Sequence, residues 1–142
     1  MAEPPGRVLA LDLGDARIGV ALSDPERRLS LPAGTIKVAG GVEDLKAVAR
    51  LVADTGAVEV VVGHPLALSG ERGAAARQAE EFAGGLRAML HLPVHLQDER
   101  LTTVEADRTL RAAGVGGRDR RRAIDQTAAT LILEAFLSSA GT

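Results

Sequence analysis

Residues 7–23, RVLALDLGDARIGVALS, decide how the rest of the chain is read. Val8 to Leu11 form an almost unbroken apolar run that ends at Asp12, the pattern of a central strand buried on both faces. Gly14 and Asp15 make a turn, and residues 17–23 resume strand character, so a connection this short predicts an antiparallel partner. Working outward, residues 29–37 read as a third strand, weakened by Pro32 because proline removes a ladder donor. From Val42 the period changes. Leu45, Val48, Ala49 and Val52 share one helical stripe, and Gly56 is placed to end it.

The remaining chain alternates. VEVVVG at 58–63 is another buried strand, residues 73–90 form an amphipathic helix through Phe82, Leu86, Met89 and Leu90, and a short strand follows at 93–97. Thr102 and Glu105 have capping-box spacing, which starts a further helix, and a last helix runs from about Ile124 to Ser138. The order β-β-β-α-β-α-β-α-α implies an α/β fold. Its mixed five-stranded sheet opens with an antiparallel meander and carries helices on both faces.

Size and composition narrow the chemistry. At 142 residues and 14.7 kDa the expectation is one domain over 1–142, with 1–6 and 139–142 as flexible tails. Phe82 and Phe136 are the only large rings, and without Tyr or Trp, base stacking on aromatic platforms is nearly excluded. The absence of cysteine removes disulfides, thiol nucleophiles and thiolate metal sites. His64, His91 and His95 lack helical metal-ligand spacing, so a metal would be held by oxygen ligands and would be a hard ion such as Mg2+ or Mn2+. A net charge of −2 rules out a general basic nucleic-acid coat, yet Arg118, Arg120, Arg121 and Arg122 could form a local patch. No secretory leader and no membrane-length apolar run is present, which predicts a cytoplasmic protein with no membrane partner.

Three acids at element ends are the candidate chemistry. Asp12 ends a buried strand where α/β folds commonly place sites, although Asp-x-Gly is also ordinary turn chemistry. Asp125 heads a stripe through Ala129, Ile132 and Phe136 that otherwise points into the core, where an unpaired carboxylate costs several kcal/mol. A helix-capping role for it would instead contribute roughly 0.3–1 kcal/mol. The third acid lies in Asp98-Glu99-Arg100. Alternation does not choose between Asp98 and Glu99, because His95, Gln97 and Glu99 share one face and Val94, Leu96 and Asp98 the other. Acids that converge repel one another unless a cation lies between them.

LALDLGDARIGVALSD, VVVGHPLALSGERG, LQDERLTTVEA and IDQTAATLIL resemble, in order and spacing, the motifs of the YqgF family, the RuvX-type Holliday junction resolvases. The resemblance runs from Val8 to Leu137 and implies a ribonuclease H-like fold with metal-dependent cleavage of phosphodiesters. The family's assigned roles are maturing the 5′ end of 16S ribosomal RNA and, in some members, resolving branched DNA. Precursor rRNA, ribosomal subunit precursors and four-way DNA are the partners so implied. Carried over residue by residue, the catalytic and metal-holding acids are Asp12, Glu99 and Asp125, which selects Glu99 over Asp98. Related resolvases have an acid at the end of the VVVG strand, where Gly63-His64-Pro65 stands here.

Two ions about 4 Å apart supply a nucleophile from water and relieve charge on the leaving oxygen. Asp12, as the residue nearest both ions, is expected to bridge them, with Glu99 and Asp125 each completing one. Arg118, Arg120, Arg121 and Arg122 would hold phosphates flanking the cut, against the ordinary reading of a solvated loop. Arg17 and Arg100 contact phosphate or pair with the neighbouring carboxylates, pairing being the simpler role. Two other classes fit parts of the sequence. DLGDARIG also resembles the phosphate hairpin of actin-like ATPases, which clamp ATP between two such domains, and a non-catalytic RNA-binding assembly module could keep the same acids. A monomer suffices for one RNA end, whereas a two-fold junction suits a homodimer.

Overall fold

The computed structural model describes residues 3–100 and 127–140. Its centre is β1 (Val8–Leu13), whose Val8, Leu9, Ala10 and Leu11 are completely buried. A strand with no polar side chain to solvate for four residues needs cover on both faces, and it lies third in a sheet ordered β3-β2-β1-β4-β5. β2 (Arg17–Ser23) runs antiparallel to it with Leu9 opposite Leu22 and Asp12 opposite Gly19. β4 (Glu59–His64) and β5 (Val94–Asp98) continue parallel on the other side.

The expected meander is present, and Pro32 explains where its last strand sits. β3 (Ser30–Lys37) occupies the sheet edge, where proline is tolerated, and its pairing with β2 shifts register between Gly19 and Ala21, next to the Ala21–Pro32 pair. Helix α1 (Gly41–Thr55) stops at Gly56 as the sequence requires: Gly56 is left-handed at φ 73°, and its N–H donates to the Val52 carbonyl at 3.0 Å. Helix α2 (Ala74–Met89) matches the predicted 73–90 span.

Helix α3 (Ala128–Ala140) starts later than the expected Ile124, for a local reason. Thr127 and Thr130 cap each other: the Thr130 N–H donates to Thr127 Oγ1 at 3.2 Å and the Thr127 N–H to Thr130 Oγ1 at 2.8 Å. The helix expected after Thr102 falls outside the described residues.

Two cores follow from strand alternation. Leu9, Leu11, Ile18, Val20, Val60 and Val62 pack beneath α1 and α2. Val8, Ala10, Ala21 and Val61 pack beneath α3, which supplies Ala129, Ile132 and Leu133. Helices therefore cover both faces. Among the described residues, no helix is long and apolar enough to cross a membrane.

Candidate active site

Asp12 continues the series Val8, Ala10 along β1, so its half-buried side chain leaves the sheet on the α3 face at the strand's end. It belongs to the ladder. The turn itself is closed further on, where the Gly14 N–H donates to the Arg17 carbonyl at 3.0 Å. Opposite Asp12 stands Gly19, and a Cβ added there would lie 3.6 Å from Asp12 Cβ and 3.8 Å from the Ala129 methyl. Small residues on β2 and α3 thus bring the start of α3 down beside the carboxylate.

The structure also separates Asp98 from Glu99. The His95 ring lies against Phe136 of α3 with centroids 5.0 Å apart, which identifies the His95, Gln97, Glu99 side of β5 as the α3 face. Glu99 is therefore on the same face as Asp12. Its N–H donates to the His64 carbonyl at 3.2 Å, and only 3% of the residue is exposed.

Gly63, next after Val61 on that face of β4, makes the room for it. A Cβ at Gly63 would sit 3.2 Å from the carboxyl carbon and Oε1 of Glu99 and 2.5 Å from Ile132 Cδ1. Asp98 takes another role. It pairs with the Arg100 guanidinium at 2.7 and 2.9 Å, and those bonds hold its carboxyl below the usual carboxylate range.

Asp12, Gly63, Gln78 and Glu99 line one cavity of about 20 Å³, room for a single water-sized particle. Two carboxylates from separate strands bordering so small a space favour a cation between them, and an all-oxygen donor set fits a hard divalent ion. The chain's residues thus fit Mg2+ or Mn2+. Among the described residues no group of three or more His, Cys, Asp or Glu side chains is arranged to hold a metal. The expected third acid, Asp125, lies outside the described residues, as do Arg118, Arg120, Arg121 and Arg122.

Arg17 is exposed at the first position of β2, in register with Lys37. Arg100 makes the pairing with Asp98 already described. Two features escaped the sequence reading. One is the approach of Glu99 to Gly63, whose place at the strand end was noted but not its use, although a glycine inside a strand is a usable sign of close approach. The other is a tie at the end of β4: His64 Nε2 lies 2.7 Å from Glu80 Oε2, and Arg72 donates to both oxygens of Glu80 at 2.9 and 2.6 Å. These bonds join β4, the segment after it and α2, and they hold the Glu80 carboxyl below its ordinary range, Arg72 first and His64 second. Residues 64, 72 and 80 fall on a strand, a connecting segment and a helix and share no face of one element, so only the fold reveals them.

A five-stranded mixed sheet with acids at the ends of β1 and β5 is the architecture of a ribonuclease H-like protein. Comparison with solved structures agrees on the fold: RuvC from Thermus thermophilus superposes with a TM-score of 0.55 at 13% identity, covering 96% of this chain and 97% of that one. RuvC from the same organism in complex with a Holliday junction substrate gives 0.54 at 14% identity over the same shares. Within that class the chain belongs to the RuvX family, described as Holliday junction resolvase, whose model matches residues 6–139. A Roseiflexus protein named "Putative pre-16S rRNA nuclease" is 42% identical over 98% of this chain and 99% of its own. A Mycolicibacterium paratuberculosis protein of the same name is 47% identical over 93% of this chain and 80% of its own.

Proposed function

We propose that this protein is a divalent-metal-dependent endonuclease that trims precursor 16S ribosomal RNA at its 5′ end. The observation that carries the reading is the burial of Glu99 against Gly63 in one small cavity with Asp12. Glu99, 3% exposed, and Asp12 border one small space, and a pair of acids so placed would suit a hard cation. The names of the relatives and the family description support nucleic acid as the substrate class.

Asp12 and Glu99 would hold the metal, with Asp125 as a third ligand. Asp125 is two residues ahead of Thr127, a reach of about 7 Å of chain, and α3 begins beside Asp12. When bound, one or two such ions generate a nucleophile from water and offset charge on the leaving oxygen. The protein's own part is to fix the carboxylates on rigid strand ends, so that no loop has to be ordered at the moment of reaction. Arg118, Arg120, Arg121 and Arg122 would hold flanking phosphates, and Arg17 would add to that field from the start of β2. The whole chain would act as one domain in the cytoplasm.

Branched DNA is the second reading, favoured by the family description and by the fold of RuvC. Purified protein with Mn2+ should be given precursor rRNA and a four-way DNA junction side by side. Cleavage of RNA that Asp12→Asn abolishes supports the first reading, and cleavage confined to the junction supports the second. If neither is cut while cells lacking the protein accumulate precursor, a binding role in ribosome assembly replaces both.

A further inference from the structure

A second, larger cavity of about 520 Å³ opens beside the candidate site, between the β1–β2 turn, the start of α1 and α2. Leu13 and Gln78 line both spaces, so the two are neighbours across one strand end. Its size is that of a small-molecule pocket. The wall is apolar through Ile18, Val38, Val42, Leu45 and Phe82, and the polar residues at it are Asp15, Asp44, Gln78 and Glu81, with no Lys, Arg or His among the described residues that line it.

That charge is the wrong sign for a phosphate. The start of α1 offers no anion site either, because Asp44 already accepts the N–H groups of Ala39 and Gly40 at 2.8 and 3.1 Å. A nucleic acid that brings a phosphate to Asp12 and Glu99 must still place its neighbouring base somewhere. A base is flat and neutral, and adenine, cytosine and guanine present an exocyclic amino group, which a carboxylate can accept from. Asp15 and Glu81 are both exposed at the cavity.

We infer that this cavity receives an unpaired nucleobase flanking the scissile phosphate, with Phe82 and Leu45 against its faces and Asp15 and Glu81 accepting from its amino edge. The inference rests on the nuclease reading for the phosphate's position. Adenine, cytosine and guanine carry exocyclic amines and would be preferred to uracil. With two large rings in the chain a platform for a run of stacked bases is excluded, but one of the two, Phe82, lines this cavity and can face a single base. A continuous duplex would have to unstack to reach it, so unpaired segments are the favoured substrates.

The test uses methyl resonances of Val38, Val42, Leu45 and Ile132 in the full chain, titrated without divalent metal. The probes are single-stranded RNA 8-mers of A, C or U and an abasic 8-mer of the same length. Oligo(A) and oligo(C) should shift Val38, Val42 and Leu45 at concentrations about tenfold below oligo(U), and the abasic strand should leave them in place. Val42→Phe fills the cavity from an exposed helix position and should weaken oligo(A) binding about tenfold. Equal shifts with the abasic strand, or shifts confined to Ile132, overturn the base pocket. Cleavage assays on the same protein fail or succeed independently. Base-dependent shifts without any cleavage would retain the pocket and remove the nuclease, whereas cleavage indifferent to abasic substitution at every flanking position would do the reverse.

Discussion

The two faces of the sheet are made by the same strands and are built for different ends. Toward α1 and α2, alternate positions are Leu9, Leu11, Ile18, Val20, Val60 and Val62, large side chains up to the strand ends. Toward α3 the apolar side chains shrink as they approach those ends: Val8 then Ala10 before Asp12 on β1, Val61 then Gly63 on β4, and Ala21 opposite Ala10 before Gly19 opposite Asp12 on β2. One face is filled with hydrocarbon along the strands and opens into its cavity only near the β1–β2 turn. The other gives up volume so that two carboxylates and the start of a helix can approach the sheet, dividing packing from the candidate chemistry by the alternation of side chains within each strand.

The sharpest way to break that division is Asp12→Asn, which keeps volume and removes charge. Cleavage should fall roughly a thousandfold, about 4 kcal/mol of transition-state stabilisation, with Tm little changed. Near-normal turnover by the purified variant would end the catalytic assignment. The mirror experiment on the other face is Leu9→Ala. Urea titration should register a loss of about 2–5 kcal/mol, while the fraction that remains folded keeps its kcat.

Gly63→Ala sits between these two. Its methyl would meet Ile132 and the Glu99 carboxyl, so stability should drop by about 1–3 kcal/mol and cleavage should fall as well. If stability drops without any change in rate, Glu99 is a packed residue rather than a working one. Breaking the Thr127 cap with Thr127→Ala should cost about 1 kcal/mol of stability.

The smallest effect concerns Glu80. Its carboxyl is held below the ordinary value in the folded state, so its bonds stabilise above the usual carboxylate range, and that contribution is lost as pH falls through the lowered folded value. The Tm gap between wild type and Glu80→Gln should therefore close on acidification. A gap constant from neutral to strongly acidic pH would show that Glu80 works through packing alone.

Much of this was readable in the residues. RVLALDL read as a doubly covered strand and is one, and Gly56, placed to end a helix, does so in a left-handed conformation. What the residues could not give was sidedness. Alternation grouped His95, Gln97 and Glu99 correctly but carried no information about which helix covers them, a fact that depends on the long-range contact between His95 and Phe136. The start of α3 was misjudged for the opposite reason: the apolar stripe extends past a local threonine pair that ends the helix sooner. The family resemblance, and not periodicity, selected Glu99, and the side that it occupies is consistent with that selection.

Gly63 and Glu99 compete for one volume, since a side chain at position 63 would occupy the space now taken by a carboxyl that arrives from the next strand. The two positions therefore behave as a single locus with one vacancy for an acid. Across many sequences of this fold they should trade places: an acid at the end of the fourth strand with a residue other than Glu after the fifth, or glycine and glutamate as here. A chain carrying bulk at both would have to abandon the pocket, so that pair of columns offers a way to sort working copies of the fold from those that have kept only its shape.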